Sequence, residues 1–277
     1  MQRPEPMSRV SRCAGTVAVL AACLLVIGCN RITLLRPDAS RGDFERTSRE
    51  VVISDRSARP DVRGQLGMAQ QLLSAGDVAG AEKAARGALK IDSNSVGAHA
   101  LLALISERRG DQREAGIHYQ RAIELAPAQG AMHNNYGAWL CRNGRAGDSL
   151  DSFERALADP SYATPGTALA NLGACADTAG DPVRARVALE RALAVDPANA
   201  VALGAMAELE FRQGDAFRAR AFSERRLAAA PADARALRIA SQIEEKLGDT
   251  RSAESYVRRL RSEFPQEPDT AGDNRTR

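Results

Sequence analysis

A chain of 277 residues carries Lys+Arg 38 against Asp+Glu 35, a net charge of +3 at pH 7. So balanced a total lacks the basic footprint of a nucleic-acid binder. Aromatics make up only 4% while Ala and Leu abound, which favours closely packed helices over a sheet.

Residues 1–28 read as a processing segment. Arg3, Arg9 and Arg12 form a basic start, and "AGTVAVLAACLLVIG" is an apolar run too short for a membrane span. The run ends in Val26-Ile27-Gly28-Cys29, which resembles a bacterial lipobox. That resemblance implies lipidation of Cys29, which then starts the mature chain. Asn30 in place of Asp implies, by lipoprotein sorting rules, the periplasmic face of the outer membrane. The competing readings are an ordinary signal peptide with an incidental Cys, or an uncleaved anchor. Residues 29–61, rich in Arg, Ser and Asp without periodicity, read as a flexible tether, and 266–277 as a disordered tail.

Between these ends the sequence repeats. Gly recurs at Gly76, Gly110, Gly144, Gly180, Gly214 and Gly248, and Asp follows all but Gly144. Small residues recur upstream, at Ala69, Ala103, Gly137, Gly173, Ala207 and Ser241, and downstream, at Ala81, Ala115, Ser149, Ala185, Ala219 and Ala253. Pro follows at Pro127, Pro160, Pro197, Pro231 and Pro265. Each element has a physical role. Glycine ends a first helix, A, in the left-handed cap where a side chain is disfavoured. Aspartate opens a second helix, B, at its positive end. The small residues let A and B approach closely, and proline stops B.

This period resembles the tetratricopeptide repeat (TPR). The expected fold is all-α: a TPR α-solenoid of six helix-turn-helix repeats in a right-handed superhelix, at 62–95, 96–129, 130–165, 166–199, 200–233 and 234–265. Such a solenoid lines its concave face with helix A positions 2, 5, 9, 12 and 13. The chain shows no phosphate-cradling loop, HExxH or CxxC pattern. His99, His118 and His133 lack ligand spacing and read as packing or surface residues. No catalytic residue, metal site, cofactor or small-molecule substrate is expected, and the chain reads as a non-enzyme.

The stretch "MHNNYGAWLC" (132–141) falls in register on helix A of the third repeat. Tyr136 and Gly137 take packing positions, Asn134 and Asn135 border the groove, and Asn171 repeats Asn135 in the next repeat. Trp139, at position 10, faces away from the groove, either packed on a neighbouring repeat or exposed. The third repeat exceeds the common period by two residues, with Pro160 and Pro165 bracketing Tyr162.

The "NNYGAWLC" stretch, the "GR" after it and "DPSYATPGTALANLGACA" resemble the type IV pilus biogenesis and stability lipoproteins, PilF or PilW. Trp139 stands where Phe is expected in most relatives. The resemblance implies an outer-membrane TPR lipoprotein whose partner is the secretin subunit of the pilus, acting as a pilotin in secretin localisation and multimerisation and in pilus assembly. The alternative is a TPR adaptor for another envelope complex, such as a tight-adherence pilus or a peptidoglycan hydrolase regulator.

Cys13 and Cys23 would leave with the signal peptide. Cys141 and Cys175, at positions 12 and 10 of consecutive A helices, could form a disulfide or remain buried thiols. The partner groove is expected at Leu66, Gln70, Leu73 and Leu104, an open apolar face, continuing over Asn134, Asn135, Arg142 and Asn171.

Overall fold

The computed structural model describes residues 59–265, and the lipobox with Cys29, the expected tether up to residue 58 and the tail lie outside them. Pro60 and Asp61, expected to end the tether, instead open the first helix, where proline's fixed φ suits the first turn. The described residues form twelve α-helices. They are α1 (Pro60–Ser74), α2 (Val78–Ile91), α3 (Val96–Arg108), α4 (Gln112–Leu125), α5 (Gly130–Arg142), α6 (Ala146–Ala158), α7 (Pro165–Thr178), α8 (Pro182–Val195), α9 (Ala200–Arg212), α10 (Ala216–Ala229), α11 (Ala234–Leu247) and α12 (Thr250–Glu263). Odd-numbered helices are the A members of the pairs and even-numbered ones the B members.

The repeating glycine and aspartate build the same corner six times. Each of the six glycines has φ between +78° and +88°. There the chain closes a Schellman motif: at the first corner the Asp77 amide donates to the Leu72 carbonyl (2.9 Å) and the Gly76 amide to Leu73 (3.2 Å). The aspartate then caps helix B, as when Asp77 accepts from the Gly80 amide and Asp111 from Glu114.

The third repeat departs from this pattern at both ends. Arg145, where the other repeats have Asp, makes no side-chain cap on α6. The start of α5 also lacks a cap of its own, since Gln129 makes no capping bond. Asp159, in the lengthened loop, supplies it by accepting from the Gly130 amide at 2.8 Å. That bond, with two from Ser161, holds the Asp159 carboxyl below its usual pKa. The same loop buries Tyr162 beside Met132 and Ala131.

Close A–B packing explains the small residues. A β-carbon at Gly137 would sit 2.9 Å from the Phe153 ring, and one at Gly173 would sit 2.5 Å from Leu189 Cγ. Where the facing B residue is bulky, only glycine leaves room. Each helix pair then buries its apolar stripe against the next repeat. Leu169, Leu172, Leu189, Met206 and Leu209, for instance, lie in one cluster spanning the fourth and fifth repeats.

Candidate functional site

Consecutive A helices are tied along one side of the solenoid by a ladder of contacts. Arg108 donates to the Leu73 carbonyl (3.0 Å), and Arg142 pairs with Glu107 at 2.6 Å. Arg212 pairs with Asp177, and Arg235 with Glu208. Arg108, Arg142 and Arg212 share position 13, and each reaches position 12 of the preceding repeat. The fourth repeat has Thr178 there, and its tie is covalent: Cys141 and Cys175 form a disulfide, with α-carbons 5.9 Å apart. Nearby, the Asn171 amide donates to Asn134 Oδ1 at 2.9 Å.

This ladder corrects the expected partner groove. Leu66, Leu73 and Leu104 are buried together with Leu101 and Ile105, so they are core and not an open apolar face. The position rule gives a direction along the helix, and in the first two repeats that direction is filled by the neighbouring A helix. Asn134, Asn135 and Asn171 are also buried. Arg142 is spent on Glu107, which also accepts from the Tyr119 hydroxyl at 2.9 Å. Of the expected groove residues, Gln70 is exposed.

Trp139 packs on a neighbouring repeat. Its ring lies over Gly116 of α4 and stacks on Tyr136, with centroids 5.6 Å apart. The histidines are internal. His99 Nδ1 lies 3.0 Å from His118 Nδ1, and His99 Nε2 lies 3.2 Å from the Ser93 carbonyl. Burial lowers both pKa values, and the neighbouring His99 lowers that of His118 further. His133 Nε2 lies 2.8 Å from the Pro127 carbonyl. Among the described residues there is no cluster of three or more His, Cys, Asp or Glu suited to a metal ion. No described helix is long and apolar enough to cross a membrane.

The open part of the concave face lies at the other end. A cavity of about 340 Å³ runs between α9 and α11, with Phe211, Arg212, Arg235, Arg238, Ile239 and Gln242 in its walls. A smaller one of about 60 Å³ adjoins it through Glu208, Arg235 and Ile239, and reaches Val201 and Gly204. Val201, Gly204, Glu208, Phe211 and Arg212 are positions 2, 5, 9, 12 and 13 of the fifth repeat. Arg235, Arg238 and Gln242 are positions 2, 5 and 9 of the sixth. The concave-position rule therefore reaches these residues when it is carried past the third repeat.

Comparisons with known proteins agree with this architecture. Models of the tetratricopeptide repeat match residues 66–130 and 178–243. The crystal structure of PilW, described as a widely conserved type IV pilus biogenesis factor, superposes with a TM-score of 0.69 at 27% identity, covering 76% of this chain and 96% of that one. The structure of Pseudomonas aeruginosa PilF superposes with a TM-score of 0.65 at 23% identity, covering 75% of this chain and 93% of that one. In sequence, the type IV pilus assembly protein PilF of Pseudomonas aeruginosa is 26% identical over 149 residues, 54% of this chain and 58% of its own length. A Haemophilus influenzae protein described as uncharacterized is 33% identical over 92 residues, 33% of this chain and 51% of its own. The chain thus spans little more than half the length of the curated relatives it matches in sequence. With its corners, its paired helices and these matches taken together, the chain is a tetratricopeptide-repeat protein whose structural neighbours include the type IV pilus factors PilW and PilF.

Proposed function

We propose that this protein is a scaffold for type IV pilus biogenesis, anchored by lipid on Cys29 to the periplasmic face of the outer membrane. The observation that carries this reading is the superposition on PilW, which runs over nearly the whole of that structure. The lipobox-like end at Gly28-Cys29 supports the anchor. Several acyl chains on one cysteine hold a domain at a bilayer where a single chain holds it only marginally.

On this reading the protein works by binding, not by catalysis. The stack of helix pairs presents an extended surface to a partner chain, and the partner is the secretin subunit that forms the outer-membrane ring. A gene-deletion strain tests it: immunoblots should show secretin monomers accumulating in place of multimers, with loss of surface pili. Normal secretin multimers together with normal pili would remove the proposal. Cys29→Ala tests the anchor separately, because it should abolish incorporation of labelled palmitate and release the protein from the outer-membrane fraction.

A further inference from the structure

The groove between α9 and α11 differs in chemistry from the packed leucines of the first repeats. Its apolar side chains, Phe211 and Ile239, are only partly buried. Its charged groups are layered. Asp177 and Glu208 lie underneath, with side chains 6% and 11% exposed, and Arg212 and Arg235 cover them at 48% and 38%. Arg235 uses Nε and Nη2 on the two oxygens of Glu208, while Arg212 uses Nη2 on Asp177. A guanidinium carries five N–H donors in a planar fork and no acceptor. The acids are thus occupied from above, and what the groove turns outward is donors and positive charge beside an apolar floor.

We propose that this groove binds an extended protein segment in which an acidic residue stands next to an apolar one. The inference rests on the scaffold reading above and adds to it the site and the chemistry of its partner. A carboxylate would complete the guanidinium forks at Arg212 or Arg235 in charge-assisted hydrogen bonds. The neighbouring apolar side chain would enter between Phe211 and Ile239. The volume of about 340 Å³ lies at the low end of ligand pockets, which suits a short anchor of a chain passing along the trough. A basic segment would face like charge across the same wall. A purely apolar one would desolvate the arginines without pairing them.

The test uses the full-length protein in non-ionic detergent and three dye-labelled synthetic peptides of one length, with leucines at the same places. Glu, Lys or Gln fills the positions between the leucines. Fluorescence anisotropy should show binding of the Glu peptide alone, weakening by about tenfold or more from low to high salt, as an exposed charge contact requires. Phe211→Ala, which leaves both charge pairs in place, should weaken it by about tenfold, and Arg212→Gln should reduce the salt dependence. Ile117→Ser, at an exposed site on α4, should leave it unchanged. Equal binding of the Lys peptide, no binding of the Glu peptide, or binding unaffected by Phe211→Ala would each overturn the proposal. Should Arg212→Gln fail to fold by circular dichroism, the Phe211→Ala result and the wild-type salt series decide. The pilus reading stands or falls separately, on the deletion strain.

Discussion

Trp139 of α5 lies so close to Gly116 of α4 that a β-carbon on the glycine would fall 2.6 Å from the indole Cη2. The chain's one tryptophan is therefore a wedge between the second and third repeats, with Tyr119 and Tyr136 on its other sides. Gly116→Ala should destabilise the protein by ~1–3 kcal/mol, the usual range for overpacking. Trp139→Phe should relieve the clash, so the double variant should lose less than the two single losses combined. Chemical denaturation of the four proteins measures the coupling, and strict additivity would contradict the contact.

The bond between Cys141 and Cys175 closes a loop across a sequence separation of 34. On the loop-entropy model, such a crosslink stabilises by ~4 kcal/mol. Reductant should lower the thermal midpoint of the native protein and leave a Cys141→Ser/Cys175→Ser variant unmoved. Mass spectrometry after alkylation without reductant should find neither cysteine labelled.

Asn134 and Asn171 form a buried polar pair, and Asn134 Nδ2 has no hydrogen-bond partner among the described residues. Asn171→Leu strips Asn134 Oδ1 of its donor and should cost ~1–3 kcal/mol. Replacing both by leucine removes the stranded group and should recover most of that loss. A double variant weaker than Asn171→Leu alone would show that the amides hold the helices in place by their bond.

His99 and His118 give the fold an acid limb. Burial, together with the charges of Arg121 on His99 and Arg86 on His118, lowers their pKa values, while Glu114 opposes this at His118. Below about pH 6.5 the unfolded chain takes up protons that the folded one refuses. Their contribution is thus complete above that pH and is lost as pH falls through the depressed folded values. The denaturation midpoint should drop on acidification from neutral, and His118→Asn should flatten the drop. An unchanged slope in that variant would assign the acid limb to other groups.

The sequence carried the repeat because one period governs several independent positions at once: the left-handed glycine, the capping aspartate and the small residues between helices. It also carried the register that places Trp139 and the two cysteines on α5 and α7. Burial it did not carry. Leu66, Leu73 and Leu104 stand at concave positions, yet they pack in the core, since exposure depends on how closely consecutive A helices approach. The charge ladder was equally hidden, because Arg142 reads as a free groove residue until Glu107 is seen 2.6 Å away. The C-terminal groove was within reach, for Phe211, Arg212 and Arg235 occupy the same positions two and three repeats further on.

The ladder also has a mechanical meaning. A stack of repeats bends at its junctions, and here they are fastened by unlike means. Arg142–Glu107, Arg212–Asp177 and Arg235–Glu208 are ionic, and their exposed portions are subject to screening by salt. The junction of the third and fourth repeats carries a covalent tie as well, which salt does not loosen and reductant does. Pulled or twisted by a partner, the solenoid would flex on both sides of a stiff waist, like a spring with one coil welded.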